Sequence, residues 1–316
     1  MYGGCTGRTR CFRCMKKFVI IANALKDRGL TQTRALCRYI RAQGADCRYL
    51  VSVDEKEGIQ KVLRENIPSG TECILVLGGD GTLIRAARDT FLCGIPLLGI
   101  NMGTLGYLCE LEIGDARSAI DAIMRGDYVL EERMMLSGEH LYRKIKQDLP
   151  NDSSGVDVKE HKIASHALND IVIHRAGALS LVSLTVYVNG QYLNTFQGDG
   201  IIIATPTGST AYNMSAGGPI VDPKAQLLLL TPINAHTLMP KSIIIDAQDE
   251  IEVKVGSRRV QRDEMVEVSF DGDPVCSLEV GGSIKVRRAK ACTKILKFNK
   301  VSFLEILRRK MEMGTG

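Results

Sequence analysis

Short apolar runs alternate with stretches of helical periodicity over the first 130 residues of the chain. The runs are typical of buried strands, and between them apolar residues recur at the spacing of one helix face. The predicted strands are Lys17–Ala22, Cys47–Val53, Cys73–Leu77 and Ile95–Ile100, and the predicted helices are Thr31–Gln43, Glu57–Glu65, Leu83–Thr90 and Ala116–Arg125. Strands that alternate with helices predict an α/β domain built on a doubly wound parallel sheet.

The pattern changes near Met134, after which strand follows strand with little helix between them. The predicted strands are Ile171–Ile173, Ser180–Val188, Gly200–Thr205, Ser242–Asp246, Glu250–Val255, Glu264–Phe270 and Ser283–Arg287. Asn189-Gly190 is a dipeptide typical of a hairpin turn, and the polar residues 150–161 predict an exposed loop. The sequence therefore predicts a second, mostly β domain.

These patterns divide the chain into four segments. Residues 1–14 are expected to form a disordered leader, 15–133 the α/β domain, 134–285 the β-rich domain, and 286–316 a basic C-terminal segment that packs back on the body. The C-x-x-C pair of Cys11 and Cys14 leaves a metal site in the leader open as an alternative. The last segment contains one amphipathic stretch, Phe303–Met311.

Charge and composition exclude several classes of protein. The net charge of +5 hides a body at residues 18–284 that carries −8, and the basic residues are concentrated at the two ends. A nucleic-acid binder carries a basic stripe across its fold, so no nucleic-acid partner is expected. No apolar run approaches the roughly 20 residues that span a bilayer, so no membrane partner is expected either. Cysteines scattered singly in apolar runs are typical of a reduced, cytoplasmic protein.

The first candidate for chemistry is Gly78-Gly79-Asp80-Gly81-Thr82, which follows a predicted strand and begins a helix. Ligands of open α/β sheets bind at the carboxyl ends of strands, and glycines there let the backbone approach a phosphate. The Asp80 carboxylate would repel a phosphate, so it is expected to accept a proton, hold a metal or cap the helix. Neither a P-loop nor a G-x-G-x-x-G motif is present in the sequence.

The second candidate is the run from Asp199 to Pro219, which is dense in hydroxyl groups and glycines. Short polar side chains after a buried strand favour a tightly fitted polar ligand, and Tyr212 could stack on a base. Two smaller motifs accompany it, Asn101–Tyr107 after the fourth strand and Asn169-Asp170 before an apolar strand. His174 and His236 lie near these motifs in the sequence, and neither is assigned a role.

Together and in this order, the four motifs resemble the NAD kinase family from about Lys16 to Phe270. The segment Thr205–Tyr212 is specific to that family, whereas lipid kinases and phosphofructokinases share Gly-Gly-Asp-Gly. The resemblance implies an enzyme that phosphorylates the 2′-hydroxyl of the adenosine ribose of NAD with ATP, giving NADP. It also implies Mg²⁺ or another divalent cation bound through the donor phosphates with no direct protein ligand, NAD and ATP as partners, and a homodimer or homotetramer.

The resemblance also implies roles for individual residues. Asp80 is the general base, and Gly78, Gly79 and Thr82 form the phosphate and metal region. The implied NAD-binding residues are Gly81, Arg85, Asn101, Tyr107, Asn169, Asp170, Asp199, Thr207, Thr210, Ala211, Tyr212, Asn213, Met214 and Ser215. The chain departs from the family at Asp170, where Glu is frequent, and at Asp273, where Gln is frequent after an Asp-Gly pair. A diacylglycerol-type lipid kinase and a non-catalytic dinucleotide sensor are the alternatives.

Overall fold

The computed structural model describes residues 8–11, 13–52, 66–103, 106–109, 111–144, 159–177, 181–236, 241–256, 265–298 and 302–313. The chain divides into two compact units. Unit 1 comprises Met1–Met134, Asp222–Lys224 and Ala291–Gly316, and unit 2 comprises Met135–Val221 and Ala225–Lys290. The expected C-terminal segment 286–316 is thus shared, with residues from 291 onward in unit 1.

Unit 1 is an α/β unit. Its strands are β1 (Arg8–Cys11), β2 (Lys17–Asn23), β3 (Asp46–Ser52), β4 (Cys73–Gly78), β5 (Leu97–Asn101), β6 (Leu111–Glu112) and the start of β7 (Tyr128–Lys144), and its helices are α1 (Thr31–Ala42), α2 (Asp80–Thr90) and α3 (Ala116–Arg125). Strands β3, β2, β4 and β5 pair in parallel in that order. The predicted parallel sheet is therefore confirmed, and the helix predicted at 57–65 lies outside the described residues.

The core of unit 1 explains why these residues form these elements. Every residue of β4 is buried, as expected for a parallel strand covered on both faces. Helices α1 and α3 contribute Leu36 and Ile40, and Ile120 and Ile123, to the same apolar cluster. Those pairs lie three or four residues apart, which places each pair on one helix face.

The segment expected to be a disordered leader contains a strand. Arg8–Cys11 form β1, which pairs antiparallel with the start of β7, Arg8 lying opposite Glu131. The segment has no apolar run, but an edge strand needs only a neighbouring backbone for its hydrogen bonds. Residues 1–7 and 12 lie outside the described part of the chain.

Unit 2 is mostly β, as predicted. It contains β8 (Lys159–Ala167), β9 (Asp170–Arg175), β10 (Val182–Val188), β11 (Gln191–Gly198), β12 (Gly200–Ala204), the short helix α4 (Tyr212–Ser215), β13 (Leu227–Ile233), β14 (Ile243–Asp246), β15 (Ile251–Gly256), β16 (Met265–Phe270) and β17 (Asp273–Glu279). Strand β18 (Ser283–Lys297) and helix α5 (Phe303–Met313) follow. One antiparallel sheet has the order β14-β13-β12-β9-β16-β17, and β11, β10, β15 and β18 pair antiparallel in another.

The predicted hairpin turn joins β10 to β11. Asn189 has φ 49° and Gly190 has φ 78°, so both central residues adopt the left-handed conformation that two-residue hairpin turns favour. An exposed loop was predicted at 150–161. Its residues 150–158 lie outside the described part of the chain, and 159–161 belong to β8, which begins at Lys159. Within the described part of the chain, no helix has both the length and the apolar character needed to cross a bilayer.

Candidate active site

The Asp80 carboxylate is held by the backbone of a neighbouring loop in unit 1. Asp80 is the first residue of α2, and Gly79 alone separates it from Gly78 at the end of β4. Its Oδ2 accepts a hydrogen bond from the Tyr107 N–H at 2.6 Å, and its Oδ1 accepts two, from Leu108 at 3.1 Å and Cys109 at 2.9 Å. The Cys109 side chain also hydrogen-bonds to Asp80, so backbone and thiol together fix the carboxylate as a hydrogen-bond acceptor.

Gly106 makes this close approach possible. An ideal Cβ placed on Gly106 would lie 2.0 Å from Asp80 Oδ1, so any side chain at this position would displace the carboxylate or the loop. Gly106 belongs to the motif Asn101–Tyr107 that the sequence singled out. The structure therefore brings two of the predicted motifs together within unit 1.

The three glycines next to Asp80 differ in how much space is free at the position of a Cβ atom. A Cβ on Gly78 would lie 2.4 Å from Thr82 Oγ1, so glycine is required there. Thr82 is buried, and its Oγ1 accepts a hydrogen bond from Asn23 Nδ2 at 3.2 Å, which ties the end of β2 to α2. Gly79 is extended at the helix start, and Gly81 is exposed with no atom near its Cβ position. Arg85 lies half-buried on the next turn of α2.

The residues that follow β5 form a closed turn. Asn101 is buried, and its side-chain amide both donates to the Gly103 carbonyl at 2.8 Å and accepts from the Gly103 N–H at 3.1 Å. Its amide thus shapes the turn. Tyr107 is half-buried, and burial together with the nearby Asp80 charge raises the pKa of its phenol. The Lys310 ammonium of α5 lies 5.7 Å from the centroid of the Tyr107 ring.

Unit 2 contains a cavity of about 700 Å³ lined by residues from several of its strands. Five of the predicted NAD-binding residues line it, namely Asn169, Asp170, Asp199, Ala211 and Tyr212. Its lining also includes residues to which the sequence assigned no role, among them His174, Arg175, Asn234 and Asp271. A cavity of this size with convergent polar groups is the usual form of a small-molecule site.

Two aspartates lie together in this cavity. The Asp271 carboxylate accepts backbone hydrogen bonds from Leu168 at 2.9 Å, Asn169 at 2.7 Å and Asp170 at 3.3 Å. Asp170 is buried, and burial, followed by the Asp271 charge, raises its pKa to about 7. Asp271 has φ 51°, and the Asp-Gly pair it forms with Gly272 is the sequence signal that could have identified it.

Asp199 is fixed by two further cavity residues. Its Oδ1 lies 3.3 Å from Arg175 Nε, and its Oδ2 accepts a hydrogen bond from Asn234 Nδ2 at 2.8 Å. Arg175 and Asn234 come from segments that carry no recognisable motif, so the sequence alone did not indicate them. The three side chains present charge and amide groups at one part of the cavity.

The hydroxyl-rich segment is anchored to the Asn169 turn. Thr205 Oγ1 donates to the Leu168 carbonyl at 2.6 Å and accepts from the Gly208 N–H at 3.1 Å. A Cβ on Gly208 would lie 2.2 Å from the Asn169 carbonyl oxygen, so the two segments are in direct contact. This contact presents Ala211 and the exposed ring of Tyr212 at the cavity.

Several predicted residues of the same segment do not line the cavity. Asn213 is fully buried and uses its amide within unit 2: Nδ2 donates to the Ser209 and Pro219 carbonyls, and Oδ1 accepts from Thr231 Oγ1 at 2.7 Å. Asn213 therefore supports the segment from behind. Thr207 is buried, Thr210 is half-buried, and Met214 and Ser215 are exposed.

Acidic and sulfur ligands do not cluster in the part of the chain that the structure describes. No group of three or more His, Cys, Asp or Glu side chains there could hold a metal ion. The Asp80 oxygens are largely engaged by backbone N–H groups.

Sequence comparison relates both units to known proteins. A family model described as the ATP-NAD kinase N-terminal domain matches residues 18–128, and one described as the ATP-NAD kinase C-terminal domain matches residues 168–298. The chain is 50% identical to the NAD kinase of Agathobacter rectalis over 301 residues, which cover 94% of this chain and 99% of that protein. It is 37% identical to the NAD kinase of Lachnospira eligens over 310 residues, covering 94% and 100%.

Solved structures share the fold. Yeast NADH kinase complexed with NADH superposes with a TM-score of 0.75 at 23% identity, covering 96% of this chain and 89% of that chain. An NAD kinase from Archaeoglobus fulgidus in complex with ATP superposes with a TM-score of 0.67 at 21% identity, covering 92% and 98%. At these identities the likeness concerns the fold.

Proposed function

Because the chain belongs to the NAD kinase family, we propose that it transfers the terminal phosphoryl group of ATP to the 2′-hydroxyl of the adenosine ribose of NAD, giving NADP and ADP. The observation that carries this proposal is the Asp80 carboxylate, which three backbone N–H groups hold in place at the start of α2. That geometry suits a group that accepts one proton from a hydroxyl.

Asp80 is assigned to accept the proton of the ribose hydroxyl late in the reaction, as the bond to phosphorus forms. A ribose hydroxyl is a far weaker acid than a carboxyl group, so Asp80 does not ionise it before attack. The bond between the 2′-oxygen and the γ-phosphorus forms while the bond from phosphorus to the ADP oxygen breaks, and the hydroxyl proton passes to the Asp80 carboxylate. A loose phosphoryl-transfer transition state needs little covalent assistance beyond this, so positioning supplies most of the rate.

The dinucleotide is assigned to residues of unit 2. The exposed Tyr212 ring at the cavity suits stacking on adenine, and Asn169 and Asp170 suit hydrogen bonds to the ribose. Asp199, held by Arg175 and Asn234, is assigned to the nicotinamide end. Thr207, Thr210, Asn213, Met214 and Ser215 complete the proposed segment, with Asn213 supporting it from within unit 2. Gly81, Arg85, Asn101 and Tyr107 of unit 1 complete the proposed set.

The phosphoryl donor is proposed to be ATP with its bound Mg²⁺ or another divalent cation. The cation neutralises phosphate charge, and Gly78, Gly79 and Thr82 form the turn assigned to that region. From family membership we also propose a cytoplasmic homodimer or homotetramer.

The two alternative functions fit the cavity less well. A lipid kinase needs an apolar acceptor site, whereas the unit 2 cavity presents Asp170, Arg175, Asp199 and Asn234. A dinucleotide sensor would need no carboxylate held in place at the start of α2, as Asp80 is. Neither alternative has an observation of its own in its favour.

A coupled assay tests the proposed function. Purified protein is incubated with NAD, ATP and Mg²⁺, and NADP is measured with an NADP-specific dehydrogenase, with a diacylglycerol acceptor in a parallel reaction. We expect NADP formation that requires all three components and no phosphorylation of the lipid. Folded protein that forms no NADP, or that phosphorylates only the lipid, would contradict the proposal.

A further inference from the structure

Lys26 extends over the glycines at the carboxyl ends of two parallel strands. It lies in the turn that follows β2, while Gly79 follows β4 and Gly103 follows β5. An ideal Cβ on Gly79 would lie 3.0 Å from Lys26 Nζ, and one on Gly103 would lie 3.8 Å from the same atom. One ammonium group therefore lies beside both of the predicted motifs of unit 1.

The turn that carries Lys26 is held in place by several hydrogen bonds. Asn23 Oδ1 accepts from the Leu25 N–H at 2.9 Å, and the Asn23 carbonyl accepts from the Lys26 N–H at 3.1 Å and the Asp27 N–H at 2.9 Å. The Asn23 side chain also donates to Thr82 of α2 at 3.2 Å. The base of the Lys26 side chain is therefore fixed relative to the Asp80 turn.

The other two turns are tied to each other. The Met102 N–H donates to the Gly78 carbonyl at 2.8 Å. Because neither Gly79 nor Gly103 carries a side chain, the space beside the Lys26 ammonium is not filled by a Cβ from either turn. This space is open to a ligand group that needs a positive charge.

The Lys26 ammonium has no anionic partner in the described part of the chain. No carboxylate oxygen there lies within 4.0 Å of its Nζ, and the Asp80 oxygens are bonded to the 107–109 backbone instead. The side chain is exposed. A lysine without a carboxylate at the carboxyl edge of a parallel sheet is suited to a phosphate, as a point charge with three N–H donors.

We propose that Lys26 binds a phosphate of the nucleoside triphosphate donor. The inference rests on the proposed function, which requires the phosphoryl group to reach the oxygen whose proton Asp80 accepts. Gly79 is the residue directly before Asp80, so a charge over Gly79 lies next to the turn where the transferred phosphoryl group reacts. The diphosphate of NAD also carries phosphate oxygens that a lysine ammonium binds. The kinetic test distinguishes the phosphates of the donor from those of NAD.

The test compares Lys26→Ala, Lys26→Met and Lys26→Arg in steady-state assays with ATP and NAD varied in turn. A charge-assisted hydrogen bond contributes enough that its loss should raise the KM for ATP about tenfold or more in the first two variants. The KM for NAD should stay within about twofold, because no acceptor contact is removed. Lys26→Arg should restore the KM for ATP to within about threefold of the original value, since it keeps the charge.

Lys16→Ala is the matched control. Lys16 is exposed in the same unit and directly precedes β2, at the strand's opposite end. Its loss should leave both Michaelis constants unchanged. Thermal melting of each variant checks the fold, and Lys26→Met keeps most of the aliphatic stem in case the alanine variant is poorly folded.

The outcomes separate this inference from the proposed function. A KM for ATP that changes by less than about twofold in Lys26→Met, or a KM that rises for NAD alone, would overturn the assignment. If the unaltered protein makes no NADP, the proposed function fails, and titration calorimetry with Mg-ATP still tests Lys26. A Kd for Mg-ATP that is about tenfold higher in Lys26→Met than in the unaltered protein then supports the inference. An equal Kd in the two proteins, or no binding to either of them, overturns it.

Discussion

Two aspartates of the proposed site differ in their surroundings and therefore in their chemistry. Asp80 accepts three backbone N–H bonds, which keep it an acceptor at a fixed position. Asp170 is buried close to the charged Asp271, and its pKa of about 7 lies well above the ordinary value of 3.8. The same residue type can therefore serve as a positioned base in one unit and as a pH-sensitive hydrogen-bonding group in the other.

Replacing Asp170 by Asn is expected to stabilise the protein in a pH-dependent manner. Between pH 4 and pH 7 the folded Asp170 keeps its proton while the unfolded chain has lost it, so folding stability falls as pH rises through this range. Asp170→Asn should therefore gain more stability at pH 8 than at pH 5, by about 1–3 kcal/mol in the difference. Thermal or urea unfolding at both pH values measures it.

The control for this prediction is Glu279→Gln, which neutralises an exposed acid of β17 in the same unit. The change in folding stability that Glu279→Gln causes should not be larger at pH 8 than at pH 5. An Asp170→Asn effect of equal size at pH 5 and pH 8 would contradict a raised pKa. We also expect Asp170→Asn to weaken NAD binding, because Asp170 is assigned to the ribose of NAD. The same substitution would then stabilise the fold and impair the function.

Tyr212→Ala is expected to raise the KM for NAD. Stacking of a base on an aromatic ring contributes about 1–3 kcal/mol, which corresponds to a rise in this KM of about 5-fold to 150-fold with kcat little changed. Tyr192→Ala removes an exposed tyrosine of β11 in the same unit and is the matched control. An unchanged KM for NAD in Tyr212→Ala would remove the adenine assignment.

The sequence singled out segments that line the unit 2 cavity but not which of their side chains face it. The run Asp199–Pro219 was identified from its density of hydroxyl groups and glycines, and Thr207 and Thr210–Ser215 within it were assigned to NAD. In the structure Tyr212 lines the cavity, while the neighbouring Asn213 points into unit 2 and bonds to Thr231. Composition cannot distinguish a polar group that binds a ligand from one that satisfies its own backbone, because both need the same donors and acceptors.

At the scale of elements, the proposed catalytic geometry depends on turns at the carboxyl ends of β2, β4 and β5. The turn after β4 begins α2 with Asp80, and the residues after β5 supply the N–H groups that hold it. Asn23 at the end of β2 bonds to Thr82 of α2. Parallel strands bring these three turns to one edge of the sheet, which is where ligands of open α/β sheets bind.

Gly106→Ala is expected to disturb this arrangement. The added Cβ would lie 2.0 Å from Asp80 Oδ1, so the loop or the carboxylate must move. Displacement of a reacting group by about 1 Å can cost on the order of 100-fold in rate, and we expect kcat to fall at least about tenfold. The measurement is kcat at saturating NAD and ATP.

Gly114→Ala is the control for the loop prediction. No atom lies within 4 Å of its Cβ position, and it belongs to the same unit. Its activity should remain near that of the unaltered protein. A Gly106→Ala variant with equally normal activity would show that Asp80 does not depend on this loop.

The elements themselves were predicted to within a few residues where their apolar pattern is strong. Strand β4 was predicted at Cys73–Leu77 and extends only one residue further, because a buried parallel strand is apolar throughout. Strand β17 was missed, since most of its residues are exposed or half-buried and give no alternation. Strand β13 was missed although its run Leu227–Leu230 is apolar, because length and periodicity alone do not separate a short buried strand from a helix.

At the scale of the molecule, the sequence predicted an α/β unit followed by a mostly β unit, and this order is confirmed. The assignment of residues from 291 onward to unit 1 could not be predicted, because it depends on contacts such as Ile295 opposite Leu97 that join distant parts of the chain. The proposed roles follow the same division: unit 1 supplies the base and unit 2 the cavity for the dinucleotide. Variants in the two units should therefore affect different kinetic constants.

The turnover number of Asp80→Asn, measured together with its NAD affinity, tests this account most directly. A positioned general base contributes about 10²-fold to 10⁴-fold, so kcat should fall by at least about 100-fold while the Kd for NAD stays within about twofold. Asp115→Asn, which alters an exposed acid of unit 1, should behave like the unaltered protein. A folded Asp80→Asn variant that makes NADP at a near-normal rate would contradict the account.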